Sequence, residues 1–233
     1  MTGPEPDPLA DLPWPEPVEP REEVSRAICR ACTKDLAPRR GLSIRTRLLF
    51  SVLVTAAAIL ALGGTRLSPH ESASTIAFPL LGTVAWGLVQ IVVLVVGLAA
   101  PAGKRSFYGV RWLIVGSVPL FFLGYLALVS VSRLPLHDFL HGQAGGAVAC
   151  AAHSLLSGAL AMIGIFLLWR GTDPFTPGLT GALAGLAGGI SGAVAIGLAC
   201  PSDEAWHLWL GHGLVVALLT VSGGIAGRRW FSP

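Results

Sequence analysis

The chain has 233 residues, of which 53% are hydrophobic and only 12% are charged. Because soluble domains carry about 25% charged residues, this chain cannot cover a globular surface with charge, and a lipid bilayer must solvate much of it. The composition leaves no separate large soluble domain. Residues 1–40 also lack the basic region and following apolar stretch of a cleavable signal peptide.

Residues 1–20 are rich in proline and in acidic side chains. They hold seven prolines and five acidic residues, with no Lys or Arg. This composition favours extended, solvated chain over a packed core, so we predict a disordered tail.

Residues 21–45 form a predicted cytosolic segment. Between Arg21 and about Leu36 there is no proline. Four apolar residues in this stretch follow the i, i+3, i+4, i+7 spacing of one helical face: Val24, Ala27, Ile28 and Ala31. The spacing predicts a short amphipathic helix that ends before Pro38. Because isolated helices of this length are marginal in water, its apolar face needs a partner, either the membrane surface or another protein.

The rest of the chain, residues 46–231, is a predicted transmembrane domain. Its apolar stretches have about the 20 residues needed to cross roughly 30 Å of hydrocarbon. Six such stretches are found, at residues 46–63, 75–100, 112–131, 147–169, 177–199 and 205–226. The sequence therefore predicts an all-α fold: an integral membrane six-helix bundle with a short, partly disordered cytosolic N-terminal segment.

Lys and Arg are strongly segregated between the two sides of these spans. All 16 except Arg66 and Arg133 lie at or before the start of the first span, or after the second, fourth and sixth spans. The positive-inside rule then predicts a multi-pass protein of the inner membrane with both termini in the cytoplasm. Five tryptophans fall at the two predicted interfaces: Trp112, Trp169 and Trp230 inside, and Trp206 and Trp209 outside.

The fifth span is rich in glycine. Gly181, Gly185 and Gly189 are spaced four residues apart, which allows another backbone to approach closely. We predict a packing helix, and a flexible gating helix is the alternative.

We expect no Asp, Glu, Lys or Arg inside the spans. Ionisable residues at membrane depth usually mark ion paths, proton relays and voltage sensors, so this expectation argues against a coupled transporter or pump. The two lysines, Lys34 and Lys104, both lie outside the spans, which excludes a retinal Schiff base within the bundle.

A set of cysteines and histidines falls toward the predicted outer face. Cys150 and His153 share a helix face near the start of span four, and Cys200 ends span five. His207 and His212 lie five residues apart on span six, so only one of them is expected to face this set. A mixed metal site, a redox-sensitive thiol pair or disulfide, and simple helix packing all remain open.

A second cysteine pair, Cys29 and Cys32, forms a CxxC motif on the predicted cytosolic helix. Such a motif can be redox-active or supply half of a zinc site. No second cysteine pair or nearby histidine completes it, so we interpret it as structural or incidental.

Two alternative functions rest on the serine and the histidines of the bundle. The stretch Gly189–Gly192 (Gly-Ile-Ser-Gly) with His212 resembles the dyad of rhomboid intramembrane proteases, and Ser191 and His212 are predicted to lie at matching depths. The other rhomboid signatures are missing. A haem-binding redox protein would instead use His153, His207 or His212, usually with axial histidines paired across two helices.

Several short motifs, in this order along the chain, resemble the NrsF-type membrane anti-sigma factors. This six-span bacterial family includes CarR-like negative regulators of extracytoplasmic-function sigma factors. The resemblance covers approximately residues 28–231. It is carried by Thr33–Pro38 (TKDLAP), Gly64–Arg66 (GTR), Trp169–Pro174 (WRGTDP), the glycine-rich fifth span, Ala199–Asp203 (ACPSD), Trp209 with His212, and Gly227–Trp230 (GRRW).

The resemblance implies a function that composition alone cannot show. It implies that residues 21–45 hold an extracytoplasmic-function sigma factor at the membrane and that a signal at the bundle releases it. The expected contacts are the apolar face of the helix together with Arg26 and Arg30. The family also carries a pair of outer cysteines, and Cys150 and Cys200 stand in the matching positions.

Several further expectations follow from this function. With His153 and His207, the two cysteines are the expected signal-sensing residues, whether the signal is an oxidant, a metal or light. We expect the lipid bilayer and the sigma factor as partners. We expect no catalytic residues, no cofactor and no direct nucleic-acid binding.

Overall fold

A computed structural model describes residues 22–35, 42–63, 73–99, 105–133, 144–173, 175–199 and 205–231. The chain divides into two units, Met1–Gly41 and Leu42–Pro233. The predicted disordered tail, residues 1–20, lies outside the described residues.

The first unit contains one described helix, α1 (Glu22–Asp35). Its first turn holds Glu22 and Glu23, and acidic side chains at this position are stabilised by the helix dipole. Arg26 lies 3.4 Å from Glu22 one turn away, an exposed pair of the kind that adds only tenths of a kcal/mol to a helix, roughly 0.3–0.5. The helix matches the one that the apolar spacing predicts.

The second unit is a bundle of apolar helices. They are α2 (Ile44–Gly63), α3 (Ala73–Val92), α4 (Arg105–Arg133), α5 (Ala144–Trp169), α6 (Pro177–Ala199), α7 (Ala205–Leu208) and α8 (Leu214–Trp230). A π-helical turn, Val93–Leu98, continues α3, and a second, Trp209–Gly213, joins α7 to α8. The described residues contain no strand.

Six stretches of these helices are long and apolar enough to cross a membrane. They are Ile44–Leu62, Leu81–Leu98, Phe107–Leu128, Gly146–Trp169, Pro177–Leu198 and Trp209–Trp230. The predicted all-α, six-helix integral membrane fold is therefore confirmed.

Helix α6 is the centre of the bundle. Buried residues make up 89% of its apolar span, against 50% or less in each of the other five. The burial follows from its small residues, because a helix that other helices surround has no room for long side chains. The prediction that span five is a packing helix is confirmed.

Two glycine-lined contacts hold α6 against its neighbours. On one side, a Cβ added at Gly181 would lie 2.6 Å from the Gly227 Cα, and one added at Gly189 would lie 2.7 Å from the Val216 Cα. On the other side, a Cβ at Gly188 would lie 2.6 Å from the carbonyl oxygen of Gly158. Helices α5, α6 and α8 therefore touch backbone to backbone.

The expectation that the spans contain no charged residue is wrong at one end of the bundle. Arg228 and Arg229 lie at the end of the sixth span and Arg47 near the start of the first. Arg111 lies in the third span, which begins about one turn earlier than the sequence suggests. Arg111 is only 6% exposed, so it does not reach out into solvent. A buried partner accounts for its position, as described below.

The three tryptophans predicted at the inner interface differ in their exposure. Trp112 and Trp230 are exposed at 52% and 44%, as rings at a lipid interface would be. Trp169 is 4% exposed, so its ring packs against protein at the end of its span and does not face lipid. Its indole N–H finds a partner inside the protein, which allows the ring to be buried.

Candidate functional site

Helix α1 presents part of the predicted apolar face to solvent. Val24 is 48% exposed and Ile28 is 55% exposed, and Ala27 is also exposed. Val24 and Ile28 are four residues apart, so they lie next to each other on one side of the helix. Within the first unit, this apolar surface is not buried.

The structure describes the rest of this predicted face only in part. Ala31 and Arg30 lie within the helix, but their side chains fall outside the description. Arg26 is exposed beside the apolar pair. Cys29 is exposed, and the side chain of Cys32 lies outside the described residues.

At one end of the bundle, Cys150 and His207 both lie close to Gly211. A Cβ added at Gly211 would lie 3.6 Å from the Cβ of Cys150 and 3.7 Å from Cδ2 of His207. Cys150 is half-buried on α5, and His207 is buried at 4% exposure on α7. Both side chains therefore come within van der Waals range of the position beside Gly211. We call this the cysteine end of the bundle.

The other two histidines of the predicted set lie beside this contact. The His212 ring is buried, with its centroid 6.4 Å from that of His207, and it is hydrogen-bonded to the backbone of Ala193. His153 is exposed, and its Nδ1 lies 2.8 Å from the carbonyl oxygen of Ala149 in its own helix. The structure thus brings His207 to Cys150 and leaves His153 on an exposed face.

Cys200 lies outside the described residues, so its distance from Cys150 is not part of this geometry. Within the described ranges, no group of three or more His, Cys, Asp or Glu side chains is arranged to hold a metal ion. The disulfide and the mixed metal site both stay predictions.

The hydroxyl of Ser191 has partners other than His212. It accepts a hydrogen bond from Gln90 Nε2 at 2.6 Å and donates one to the carbonyl oxygen of Ala187 at 2.8 Å. Across the described part of the chain, no hydrogen bond joins Ser191 to His212. Ser191 therefore contributes to the packing of α3 on α6, and the geometry gives no support to a serine–histidine dyad.

At the opposite end of the bundle, Arg111 of α4 reaches into the turn between α5 and α6. Its Nη1 lies 2.7 Å from Asp173 Oδ2, and the two side chains are only 7% and 5% exposed. Arg111 Nη1 also donates to the hydroxyl of Thr176 at 2.9 Å, and Nη2 donates to the hydroxyl of Thr180. We call this the basic end of the bundle.

Asp173 is fully engaged by these neighbours. Its Oδ2 accepts from the hydroxyls of Thr176 at 2.8 Å and Thr180 at 2.6 Å, while its Oδ1 accepts from the backbone N–H groups of Phe175 and Thr176. Burial disfavours the charged form, but hydrogen bonds from Thr180, Arg111 and Thr176 outweigh it and hold the pKa of Asp173 well below its ordinary value. Asp173 therefore both pairs with Arg111 and holds the turn that leads into α6, since its side chain bonds backbone N–H groups two and three residues further on.

A second contact at the basic end joins α5 to α2. The indole Nε1 of Trp169 donates a hydrogen bond to the hydroxyl of Ser51 at 3.0 Å, and Ser51 donates to the carbonyl oxygen of Arg47 at 2.8 Å. The Arg47 guanidinium carbon lies 5.9 Å from the centroid of the Trp169 ring, within the range of a cation–π contact. Trp169 thus fixes the first two turns of α2.

Reasoning from the sequence missed this basic-end network. The signal was present in Trp169–Pro174, where a threonine and an aspartate precede the helix-starting Pro177, a typical N-terminal pattern. Arg111 was assigned to a loop because hydropathy alone cannot reveal that an arginine has a buried carboxylate partner.

These features define a multi-pass membrane protein with an amphipathic helix before its first span. Residues 33–232 match the family described as NrsF, negative regulator of sigma F, which covers most of the chain. The chain belongs to this family, and the resemblance seen in its motifs is confirmed. It is therefore related to regulators that act negatively on a sigma factor. No curated protein and no solved structure matches the chain.

Proposed function

We propose that the protein is a membrane-bound anti-sigma factor that holds an extracytoplasmic-function sigma factor at the inner membrane and releases it on an environmental signal. The observation that carries the proposal is the exposed pair Val24 and Ile28 on α1, in a chain whose family regulates a sigma factor negatively. A helix with an unpartnered apolar side is what an amphipathic helix-in-groove contact requires.

The proposed contact has an apolar centre and a charged rim. Burying a fully exposed valine or isoleucine contributes about 1.5–3 kcal/mol. Val24 and Ile28 are about half exposed before binding, so each of them contributes roughly half of that amount. Ala27 and Ala31 extend the same face. Arg26 and Arg30 would lie at its edge, where charges mainly change the association rate.

The proposed signal acts at the cysteine end. Cys150 and His207 both lie close to Gly211, and a cysteine and a histidine near one another can serve oxidation or metal binding. Cys200 and His153 complete the proposed sensing set. The sigma factor and the lipid bilayer are the proposed partners, and the function requires neither a cofactor nor direct contact with nucleic acid.

The α1 contact is tested with single and paired charge substitutions in the full chain. Val24→Asp with Ile28→Asp should abolish recovery of the sigma factor from solubilised membranes and raise expression of a sigma-dependent reporter, because charge is expensive to bury against an apolar groove. Membrane insertion should be unchanged.

Cys29→Asp is the matched control for Ile28→Asp. Both residues are exposed neighbours on α1 and each substitution adds one negative charge, but only Ile28 lies on the apolar face. Sequestration should survive Cys29→Asp. If the Val24 and Ile28 double variant still retains its partner as the wild type does, recognition takes place elsewhere.

A further inference from the structure

We propose that Arg111, Asp173 and Trp169 are positioning residues that form a clamp at the basic end of the bundle and fix the start of α2. This inference rests on the proposed function, since α2 follows directly on the segment proposed to hold the sigma factor. With the clamp closed, that segment would bind the sigma factor; with the clamp open, it would release it.

The first argument is the cost of placing Arg111 where it lies. A charged pair loses its hydration when it is buried, and this loss must be offset by the attraction and hydrogen bonds between the buried groups. Well-packed apolar residues often stabilise such a site equally well or better. Here a guanidinium and a carboxylate are buried together inside a largely apolar chain. A directional polar contact of this kind fixes one arrangement of α4 against α6, which apolar packing alone does less sharply.

The second argument is the rigidity of the turn that joins the two contacts. Gly171 has a φ of 66°, a left-handed conformation that favours glycine. Thr172 donates from its backbone N–H and from its hydroxyl to the carbonyl oxygen of Trp169, at 3.3 Å and 2.7 Å. Asp173 then accepts from the backbone N–H of Thr176, just before α6 begins. The Trp169 ring and the Asp173 carboxylate are thereby held in a fixed relation, only four residues apart.

The third argument is what Trp169 touches. Its ring contacts Arg47 and its N–H binds Ser51, both in the first two turns of α2. Helix α2 begins at Ile44, three residues after the end of the first unit at Gly41. A shift of α5 or α6 relative to α4 would therefore act on the helix that carries the cytosolic segment.

The fourth argument is that α5 connects the two ends of the bundle. Cys150 lies near its start and Trp169 is its last residue, about 28 Å apart at 1.5 Å per residue. A change at the cysteine end that moves α5 together with the helices packed on it would reach the Trp169 contact without any further link. This supplies a physical connection between the two proposed sites.

The clamp is also not completely satisfied. Among the described residues, the Nε atoms of Arg47 and Arg111 are buried without a hydrogen-bond partner. A buried donor left unpaired costs free energy, so the observed arrangement is less stable than a fully paired one would be. A clamp of this kind can open at lower cost than a fully satisfied network.

The test uses substitutions that remove one contact at a time from the full-length protein. Trp169→Phe keeps a ring but removes the indole N–H, Ser51→Ala removes its acceptor, and Arg111→Gln removes the charge. Arg170→Gln is the control, because Arg170 lies in the same turn and is exposed. The readouts are sigma-dependent reporter expression without a stimulus, recovery of the sigma factor from solubilised membranes, and the amount of folded protein in the membrane.

Trp169→Phe and Arg111→Gln should raise unstimulated reporter expression roughly fivefold or more, the usual lower range of coupling between two sites, with folded protein unchanged. Ser51→Ala and Trp169→Phe remove the same hydrogen bond, so combining them should add little to the larger single effect. Arg111→Lys should restore sequestration in part, because it keeps the charge.

Two results would overturn the clamp while leaving the proposed function intact. In the first, the wild type sequesters its sigma factor and the correctly inserted variants sequester it equally well. In the second, the variants release the sigma factor only in proportion to the folded protein that they lose. A wild type that fails to retain a sigma factor would instead contradict the proposed function itself.

Discussion

Adding a single methyl group at Gly185 should separate two helices at the centre of the bundle. A Cβ at this position would overlap the carbonyl oxygen of Leu219 and lie 2.8 Å from its carbon and 3.1 Å from the Cα of Thr220. All three are backbone atoms of α8, so no change of side-chain rotamer relieves the overlap. The α6 and α8 backbones must move apart along a contact that also involves Gly181 and Gly223.

The size of the effect follows from comparing Gly185 with Gly124. Overpacking a tight interior typically costs about 1–3 kcal/mol. Gly124 lies on an exposed face of α4 with no atom within 4 Å of an added Cβ, and alanine is favoured over glycine in a helix by up to about 1 kcal/mol. Both substitutions gain this helix preference, so the overpacking remains as the difference, and Gly185→Ala should be less stable than Gly124→Ala by about 1–3 kcal/mol.

The comparison can be measured by unfolding both variants and the wild type in mixed detergent micelles of increasing sodium dodecyl sulfate content. Tryptophan fluorescence follows the transition, since Trp86 and Trp169 are packed in the bundle. Gly185→Ala should unfold at the lowest detergent fraction and Gly124→Ala at or above that of the wild type. Equal midpoints for the two variants would refute the view that backbone contact between α6 and α8 holds the bundle together.

Three further predictions concern topology, sensing and pH. A reporter fused after Ser202 should report the outer side and one fused after Arg229 the cytoplasm, and the opposite pattern would reverse the predicted orientation. The variant Cys150→Ser with Cys200→Ser should bind the sigma factor but fail to release it under oxidant, heavy metal or singlet oxygen; an unchanged response would return both residues to a packing role. Folding lowers the pKa of Asp173, so its charged form stabilises the folded protein. This contribution to stability is complete above the ordinary carboxyl pKa near 3.8 and is lost as the pH falls below that value. The stability difference between the wild type and Asp173→Asn should therefore be largest near pH 7 and shrink in acid, and a constant difference across this range would contradict the proposed charge pairing.

The features that the sequence predicts well are those that depend on local pattern. Each of the six spans is a continuous apolar stretch, and the spacing of Val24 and Ile28 is visible without any knowledge of neighbouring helices. The glycines of α6 are similarly informative, because spacing by four residues places Gly181, Gly185 and Gly189 on one side of a helix. These predictions agree with the structure since one helix is enough to make them.

The features that the sequence predicts poorly depend on contacts between residues that are far apart along the chain. Arg111 and Asp173 are 62 residues apart, and Trp169 and Ser51 are 118 residues apart. An arginine near the end of an apolar stretch is normally assigned to the interface, and so is a tryptophan. Only their partners, which composition and spacing do not reveal, move both side chains into the interior. At the cysteine end, the sequence placed Cys150 and His153 on one helix face but gave no sign that His207 lies near Cys150 beside Gly211.

The way the helices contact one another indicates which of them can move. Helices α5 and α8 meet α6 through backbone atoms, at Gly158 and Gly227 among others, and such contacts permit little sliding without a clash. Helices α2 and α3 instead meet their neighbours through side chains, as in the contacts of Val54 with Gly164 and of Leu183 with Gly97. Side chains can change rotamer and accommodate a shift of about 1–2 Å between helices, which is the usual size of such movements. We therefore expect α5, α6 and α8 to behave as one rigid unit and α2 to move against it, with the Trp169 contact at the junction between the two. A spin-label distance between α2 and α6 should change on stimulation, and a distance between α6 and α8 should not.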